Sequence, residues 1–156
     1  ERVGLAKAAR VFGGEEKTIP ELLAYFASIG GGDAFRRMCV LDAVILNPDR
    51  HYGNFGVLFD NDTMQVLGMA PVFDNNRALL PGLDDDQLRE PAWHIRRCQS
   101  KLGRDFLTDE IRADLGGLRT FQFSQHPGIS ASQPRLDALS TIVRNRIRMV
   151  LEERSQ

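Results

Sequence analysis

Apolar residues recur at steps of three and four over the last part of the chain, the spacing of an amphipathic helix. Arginine and glutamate occupy the other faces of the same helix. We therefore expect a C-terminal helix whose apolar face contains Leu136, Leu139, Val143, Ile147, Val150 and Leu151. Near the N-terminus, Thr18-Ile19-Pro20-Glu21 is typical of a helix start, and this helix should end at glycines 30–32. Asp33 should then cap a second helix, which is nearly all apolar after Arg37 and is therefore predicted to be buried.

Two short apolar runs with β-branched or aromatic members come next in the chain. Residues 55–59 and 65–69 are joined by a polar stretch, and this pattern predicts a β-hairpin. Beyond it, proline, glycine and aspartate indicate a region rich in loops up to residue 101. Residues 102–118 should hold another short helix, with Asp105 or Thr108 as competing caps.

Length and composition restrict the class of protein. With 156 residues, 42% of them hydrophobic, we expect a single domain over residues 1–156. A net charge of −1 gives no field that would favour direct binding to nucleic acid. Cys39 and Cys98 lack the spacing of zinc ligands, and no apolar run or signal peptide predicts a membrane span or export. We therefore expect a cytoplasmic protein that does not bind membranes.

The strongest chemical signal is the polar loop Asn47-Pro48-Asp49-Arg50-His51-Tyr52-Gly53-Asn54, which directly follows the predicted buried helix. Phe73-Asp74-Asn75 follows the predicted hairpin. A carboxylate rigidly held in a loop can accept a proton from a hydroxyl, and Asp49 is the candidate base. Mg²⁺ prefers a few oxygen ligands together with phosphates and water, which fits the amide of Asn54 and the carboxylate of Asp74. This combination predicts phosphoryl transfer.

Two alternatives stay open from the residues alone. His51 is the second candidate catalytic residue: it could contact the transferring phosphate, or it could hold the loop backbone through a buried hydrogen bond. Asparagine, proline, aspartate and glycine are also common in ordinary turns, so the loop could be a polar turn and no more. The order of helix, loop, hairpin and second aspartate favours the site over the turn.

Asn47-Pro48-Asp49-Arg50-His51-x-x-Asn54-Phe55-Gly56 and Ala70-Pro71-Val72-Phe73-Asp74 resemble the C-terminal lobe of HipA-like serine/threonine kinases, with the match concentrated in residues 33–80. The resemblance implies an α+β, mainly helical, protein-kinase-like lobe with a small β-hairpin that carries the metal-site aspartate. It further implies ATP and Mg²⁺ as cofactors, Asp49 as the catalytic residue, and Asn54 and Asp74 as ligands of the metal and its nucleotide. A protein would be the substrate, and an antitoxin-like protein would be a partner, as in some HipA-like toxin–antitoxin systems. The Asp-Arg-His-x-x-Asn core is also similar to phosphoinositide kinases, so a lipid or small-molecule acceptor stays open.

A complete kinase also has a β-rich lobe with a glycine-rich loop and a strand lysine that contact the nucleotide. The pattern of apolar residues before Asp49 predicts helices, and Lys7 and Lys17 lie outside any strand-like run. We therefore expect a fragment that lacks the nucleotide-covering lobe and is inactive by itself. The alternative is a non-catalytic, kinase-derived scaffold that binds a partner through the acidic, Trp93-containing segment 84–101.

Other polar residues have plainer explanations. His94 and His126 lack partners at metal-ligand spacing, and we expect them to face solvent or to be satisfied in the core. Arg144, Arg146 and Arg148 are expected to form a solvated helix face.

Overall fold

The computed structural model describes residues 2–91 and 100–152. The chain divides into two compact units, the first formed by Glu1–Met38 and Asp49–Asn75 and the second by Cys39–Pro48 and Asn76–Gln156. The single domain expected from the sequence stays a prediction. Trp93, His94 and Cys98 lie outside the described residues.

An antiparallel sheet of three strands forms the first unit together with short helices. Its strands are β1 (Val3–Lys7), β2 (Gly56–Asp60) and β3 (Val66–Met69), in the order β1-β2-β3. The predicted hairpin is confirmed as β2 and β3, with an irregularity between Leu58 and Phe59. Asp74 lies beyond β3 in a segment without regular structure.

The expectation of helix throughout the N-terminal segment is wrong for β1, and Lys7 is the last residue of that strand. Ala6 pairs with Val57, and Lys7 pairs with Gly56. Glycine and alanine in β1 give it little strand propensity of its own, so pairing with a strand far along the chain decides its conformation.

Helices α1 (Ala8–Val11), α2 (Ile19–Ser28) and α3 (Gly32–Val44) complete the regular structure before the polar loop. The predicted start of α2 is confirmed, because Thr18 and Glu21 form a reciprocal capping box. Asp33 lies in the first turn of α3 and bonds to Arg37 there, instead of capping the helix, because α3 begins one residue earlier at Gly32.

Aromatic rings form the core of the first unit. Phe26 and Phe35 are stacked with ring centroids 5.0 Å apart. Phe55 lies 6.0 Å from Phe26 and 6.3 Å from Phe35, and all three side chains are buried. Since Phe55 immediately follows Asn54, this core fixes the end of the polar loop.

The second unit contains α4 (Asp85–Arg89), α5 (Ser100–Asp105), α6 (Asp109–Gly117) and α7 (Gln133–Leu151). The short helix expected within residues 102–118 is confirmed as α6, and Thr108, one of the two competing caps, is its N-cap. The separate helix α5 ends before it, at Asp105. The amphipathic C-terminal helix is confirmed as α7 and is capped by Ser132. One buried cluster of this unit contains Leu46, Leu80, Leu88, Ala138 and Ile142.

The prediction that the α7 arginines are solvated is wrong for Arg146, whose exposed fraction is 0%. Its Nε donates to the carbonyl of Ala43 over 2.9 Å, so the buried charge has a hydrogen-bond acceptor. Arg144 is partly buried and donates to the carbonyl of Phe121, whereas Arg148 is exposed. Among the described helices, none combines the length and the apolar character needed to cross a membrane.

Gly56 is predicted to be required for the pairing of β1 with β2. A Cβ at this position would lie 2.1 Å from the carbonyl oxygen of Ala6, so the strands would have to separate. We expect Gly56→Ala to lower the free energy of unfolding by about 1–3 kcal/mol, measured by urea denaturation. In the control Gly82→Ala, the added Cβ meets nothing within 4 Å, and a change below about 0.5 kcal/mol is expected. Equal effects of the two substitutions would contradict the explanation.

Candidate functional site

The loop from Asp49 to Asn54 is held by hydrogen bonds within itself. The N–H of His51 donates to the carbonyl of Asp49, and the N–H of Asn54 donates to the carbonyl of His51, over 2.9 and 2.8 Å. The Asn54 side chain is 3% exposed, and its Nδ2 donates to the carbonyl of Asp49 over 2.9 Å. With the nitrogen engaged, the amide oxygen is the atom of Asn54 that can bind a cation.

Preceding this loop, Asn47 is fully buried in the second unit. Its Nδ2 donates to a carboxylate oxygen of Asp42 over 2.9 Å, and its N–H donates to the Asp42 carbonyl. Asn47 therefore has a structural explanation, since it fastens the chain to the end of α3.

Arg50 connects the loop to the segment that contains Asp74. One guanidinium nitrogen donates to the carbonyls of Asn54 and Phe73, each over 2.8 Å. The other donates to the side-chain oxygen of Asn75 over 2.5 Å. The spacing of the motif predicts no role for Arg50, although its position directly after the candidate base and its forked guanidinium indicate one.

Asp74 has an unusual backbone and an accessible side chain. Its φ is 56°, in the left-handed region that aspartate tolerates better than most residues. The residue is exposed, so an ion can reach its carboxylate.

Asn54 and Asp74 fit a magnesium ion chemically. Both offer hard oxygen donors, and Arg50 bonds to the backbone of Asn54 and to both neighbours of Asp74. In residues 2–91 and 100–152, no group of three or more histidine, cysteine, aspartate or glutamate side chains forms a possible metal site. Mg²⁺ commonly takes one or two protein carboxylates and completes its shell with phosphates and water.

His51 is exposed, and its Nδ1 accepts a hydrogen bond from the N–H of Gly53 over 3.0 Å. A Cβ at position 53 would lie 2.7 Å from Cε1 of the imidazole, so glycine makes room for this ring. The hydrogen bond is of the loop-holding type considered above, although it is exposed and not buried. A contact of His51 with phosphate stays a prediction.

Tyr52 attaches the loop to the segment before α2. Its hydroxyl accepts from the N–H of Lys17 over 2.7 Å and donates to the Lys17 carbonyl over 3.1 Å. The Lys17 ammonium lies 2.7 Å from Glu15, and the hydrogen bond with that carboxylate raises the pKa of Lys17. Lys17 is thus charged at neutral pH and engaged with Glu15.

Other candidate residues lie in simpler surroundings. His126 is exposed, and its Nδ1 accepts from the N–H of Gly128 over 3.1 Å. In the described part of segment 84–101, Asp84 caps α4, and Asp85 bonds to Arg135 and Ser132. These acidic residues are engaged within the chain, and binding of a partner through the segment stays a prediction.

No protein-family model and no curated protein sequence matches the chain. The crystal structure of a Helicobacter pylori proinflammatory kinase, CtkA, does match, with a TM-score of 0.64 over 97% of this chain and 71% of that chain. The fold is kinase-like. Sequence identity across this match is 16%, so the similarity establishes the fold and leaves the reaction to be tested.

Tyr52→Phe is expected to destabilise this kinase-like fold by about 1–2 kcal/mol, because both hydrogen bonds to the Lys17 backbone are lost. Urea denaturation measures the change. Tyr25→Phe is the matched control, because Tyr25 belongs to the same aromatic group and its hydroxyl has no hydrogen bond within the described residues. A loss as large in Tyr25→Phe would show that the hydroxyl bonds are not responsible.

Proposed function

We propose that the chain is the catalytic lobe of a HipA-like serine/threonine kinase, which transfers the γ-phosphate of ATP to a protein hydroxyl. The observation that carries the proposal is the set of Arg50 contacts, which link the loop of Asp49 and Asn54 to the segment of Asp74. The kinase-like fold agrees with this reaction class. The motif predicts both segments, and the Arg50 contacts supply an independent physical link between them.

Each proposed residue has a separate role in the reaction. Asp49 accepts the proton of the acceptor hydroxyl. The oxygen of that hydroxyl forms a bond to the γ-phosphorus, while the bond from this phosphorus to the β,γ-bridging oxygen breaks and ADP is released. Asn54 and Asp74 would hold Mg²⁺, which supplies charge neutralisation for the nucleotide phosphates when it is bound. His51 keeps the loop in shape through the N–H of Gly53. Catalysis of this kind depends on positioning and electrostatics, which a hydrogen-bonded loop favours.

The proposal includes a cytoplasmic protein substrate and an antitoxin-like protein partner, both of which rest on the resemblance of the loop to HipA-like kinases. It also includes a nucleotide-covering lobe supplied from outside these residues. Without groups that clamp the phosphates, the chain by itself would be inactive or very weakly active.

Asp74→Asn is expected to weaken binding of Mg²⁺ and ATP, because the substitution removes the charged oxygen donor. The decrease in affinity should exceed the roughly 10- to 100-fold typical of losing a residue that only orients a ligand. Isothermal titration calorimetry is performed on this chain and on the full-length product of its gene. Asp62→Asn removes the same charge from the exposed β2–β3 turn and serves as the control.

Binding that is equal in Asp74→Asn and in the unmodified protein would refute the assignment of Asp74. If neither the chain nor the full-length product binds Mg²⁺ and ATP, the enzyme proposal is wrong and the scaffold hypothesis is favoured.

Asp49→Asn is expected to reduce kcat of the full-length protein by about 10²- to 10⁴-fold, because the acceptor hydroxyl loses its base. Binding of Mg²⁺ and ATP should be unchanged, since Asp49 is not one of the proposed metal ligands. Transfer of radiolabelled γ-phosphate to protein, lipid and small-molecule acceptors measures kcat and also identifies the acceptor class. Undiminished phosphate transfer by Asp49→Asn would contradict the proposed role of Asp49 as the base.

A further inference from the structure

We infer that Arg50 is a positioning residue that holds the two proposed metal ligands, Asn54 and Asp74, in register. The inference rests on the proposed function for its metal, and on the hydrogen bonds of Arg50 for its geometry. Arg50 is not proposed to touch the metal or the nucleotide. It acts through the backbone and the neighbours of the residues that do.

The acceptors of Arg50 are distributed in a way that suits this role. The carbonyl of Asn54 belongs to one proposed ligand, and the guanidinium reaches it over 2.8 Å. The other two acceptors are the carbonyl of Phe73 and the side chain of Asn75, which flank the second proposed ligand on either side. A single partly buried side chain therefore restrains both segments, while the carboxylate of Asp74 stays exposed.

The backbone of Asp74 explains why a restraint is needed. Its φ of 56° is a conformation that a residue with a Cβ adopts when the surroundings hold it there. The hydrogen bonds from Arg50 to Phe73 and Asn75 restrain the chain on both sides of Asp74. Without them, we expect the segment to relax and the carboxylate to leave its place relative to Asn54.

Arginine is suited to the task in a way that lysine is not. The planar guanidinium presents several N–H donors in a rigid fork, so two of its nitrogens serve three acceptors here. An ammonium keeps the charge but cannot reproduce that fork. Arg50→Lys therefore separates the geometric contribution from the electrostatic one.

The first measurement needs neither metal nor nucleotide. Backbone order parameters from ¹⁵N relaxation are measured on this chain, and Asp74 should be near the rigid value of about 0.85. In Arg50→Lys the Asp74 order parameter should fall below about 0.6. Asn75→Ala removes only the bond from Arg50 to the Asn75 side chain, and its Asp74 order parameter should lie between these two values. Arg10→Lys, at an exposed position of the same unit, is the control and should not change the value.

The second measurement titrates Mn²⁺ as a paramagnetic stand-in for Mg²⁺ and follows the broadening of the Asn54 and Asp74 amide signals. Arg50→Lys should need about 10- to 100-fold more Mn²⁺ than the unmodified chain, the range expected when a ligand loses the residue that orients it. Asn75→Ala should show a smaller shift in the same direction.

Unchanged order parameters in a folded Arg50→Lys variant would overturn the inference, as would a mobile Asp74 segment that binds Mn²⁺ with undiminished affinity. If Arg50→Lys fails to fold, the Asp74 order parameter and the Mn²⁺ titration of Asn75→Ala test the inference instead. If Mn²⁺ broadens no signal near Asp74 in the unmodified chain, the metal site of the proposed function is wrong. The relaxation data would still test whether Arg50 restrains the Asp74 segment.

Discussion

The burial of Phe55 is the contact on which the first unit depends. Its ring packs against Phe26 of α2, Phe35 of α3 and Tyr52 of the polar loop. Its carbonyl also accepts the N–H of Ala8, where β1 ends and α1 begins. One residue thus joins two helices, the N-terminal strand and the polar loop. Because aromatic side chains bury large apolar areas, this contact also supplies a large share of the unit's hydrophobic stabilisation.

The polar loop combines a hydrogen-bonded backbone with carboxylates that solvent can reach. Hydrogen bonds to carbonyls and the anchored ring of Tyr52 restrain the main chain. The carboxylate of Asp49 is only partly buried, and that of Asp74 is exposed. Buried polar groups of the loop are held by hydrogen bonds, while the exposed carboxylate of Asp74 remains hydrated.

Sequence reasoning worked where the signal was local. Thr18 and Glu21 define the start of α2 within four residues, and the spacing of apolar residues defines α7. It failed where a distant partner decides the outcome. Strand β1 forms because it pairs with β2, and the buried Arg146 donates a hydrogen bond to the carbonyl of Ala43. The motif predicts which residues form the candidate site, but the connection through Arg50 depends on side-chain directions that spacing does not encode.

Arginine side chains donate to backbone carbonyls at one position of the first unit, Arg50, and at several of the second: Arg104, Arg112, Arg135, Arg144 and Arg146. A guanidinium keeps its proton at every pH that proteins encounter, and a carbonyl does not titrate. These bonds are therefore independent of acidity. Carboxylates behave differently: the hydrogen bond from Arg135 lowers the pKa of Asp85, so the stabilisation it gives is lost as the pH falls through that lowered value. Acid thus weakens the Asp85–Arg135 contact between α4 and α7 while the arginine-to-carbonyl bonds persist.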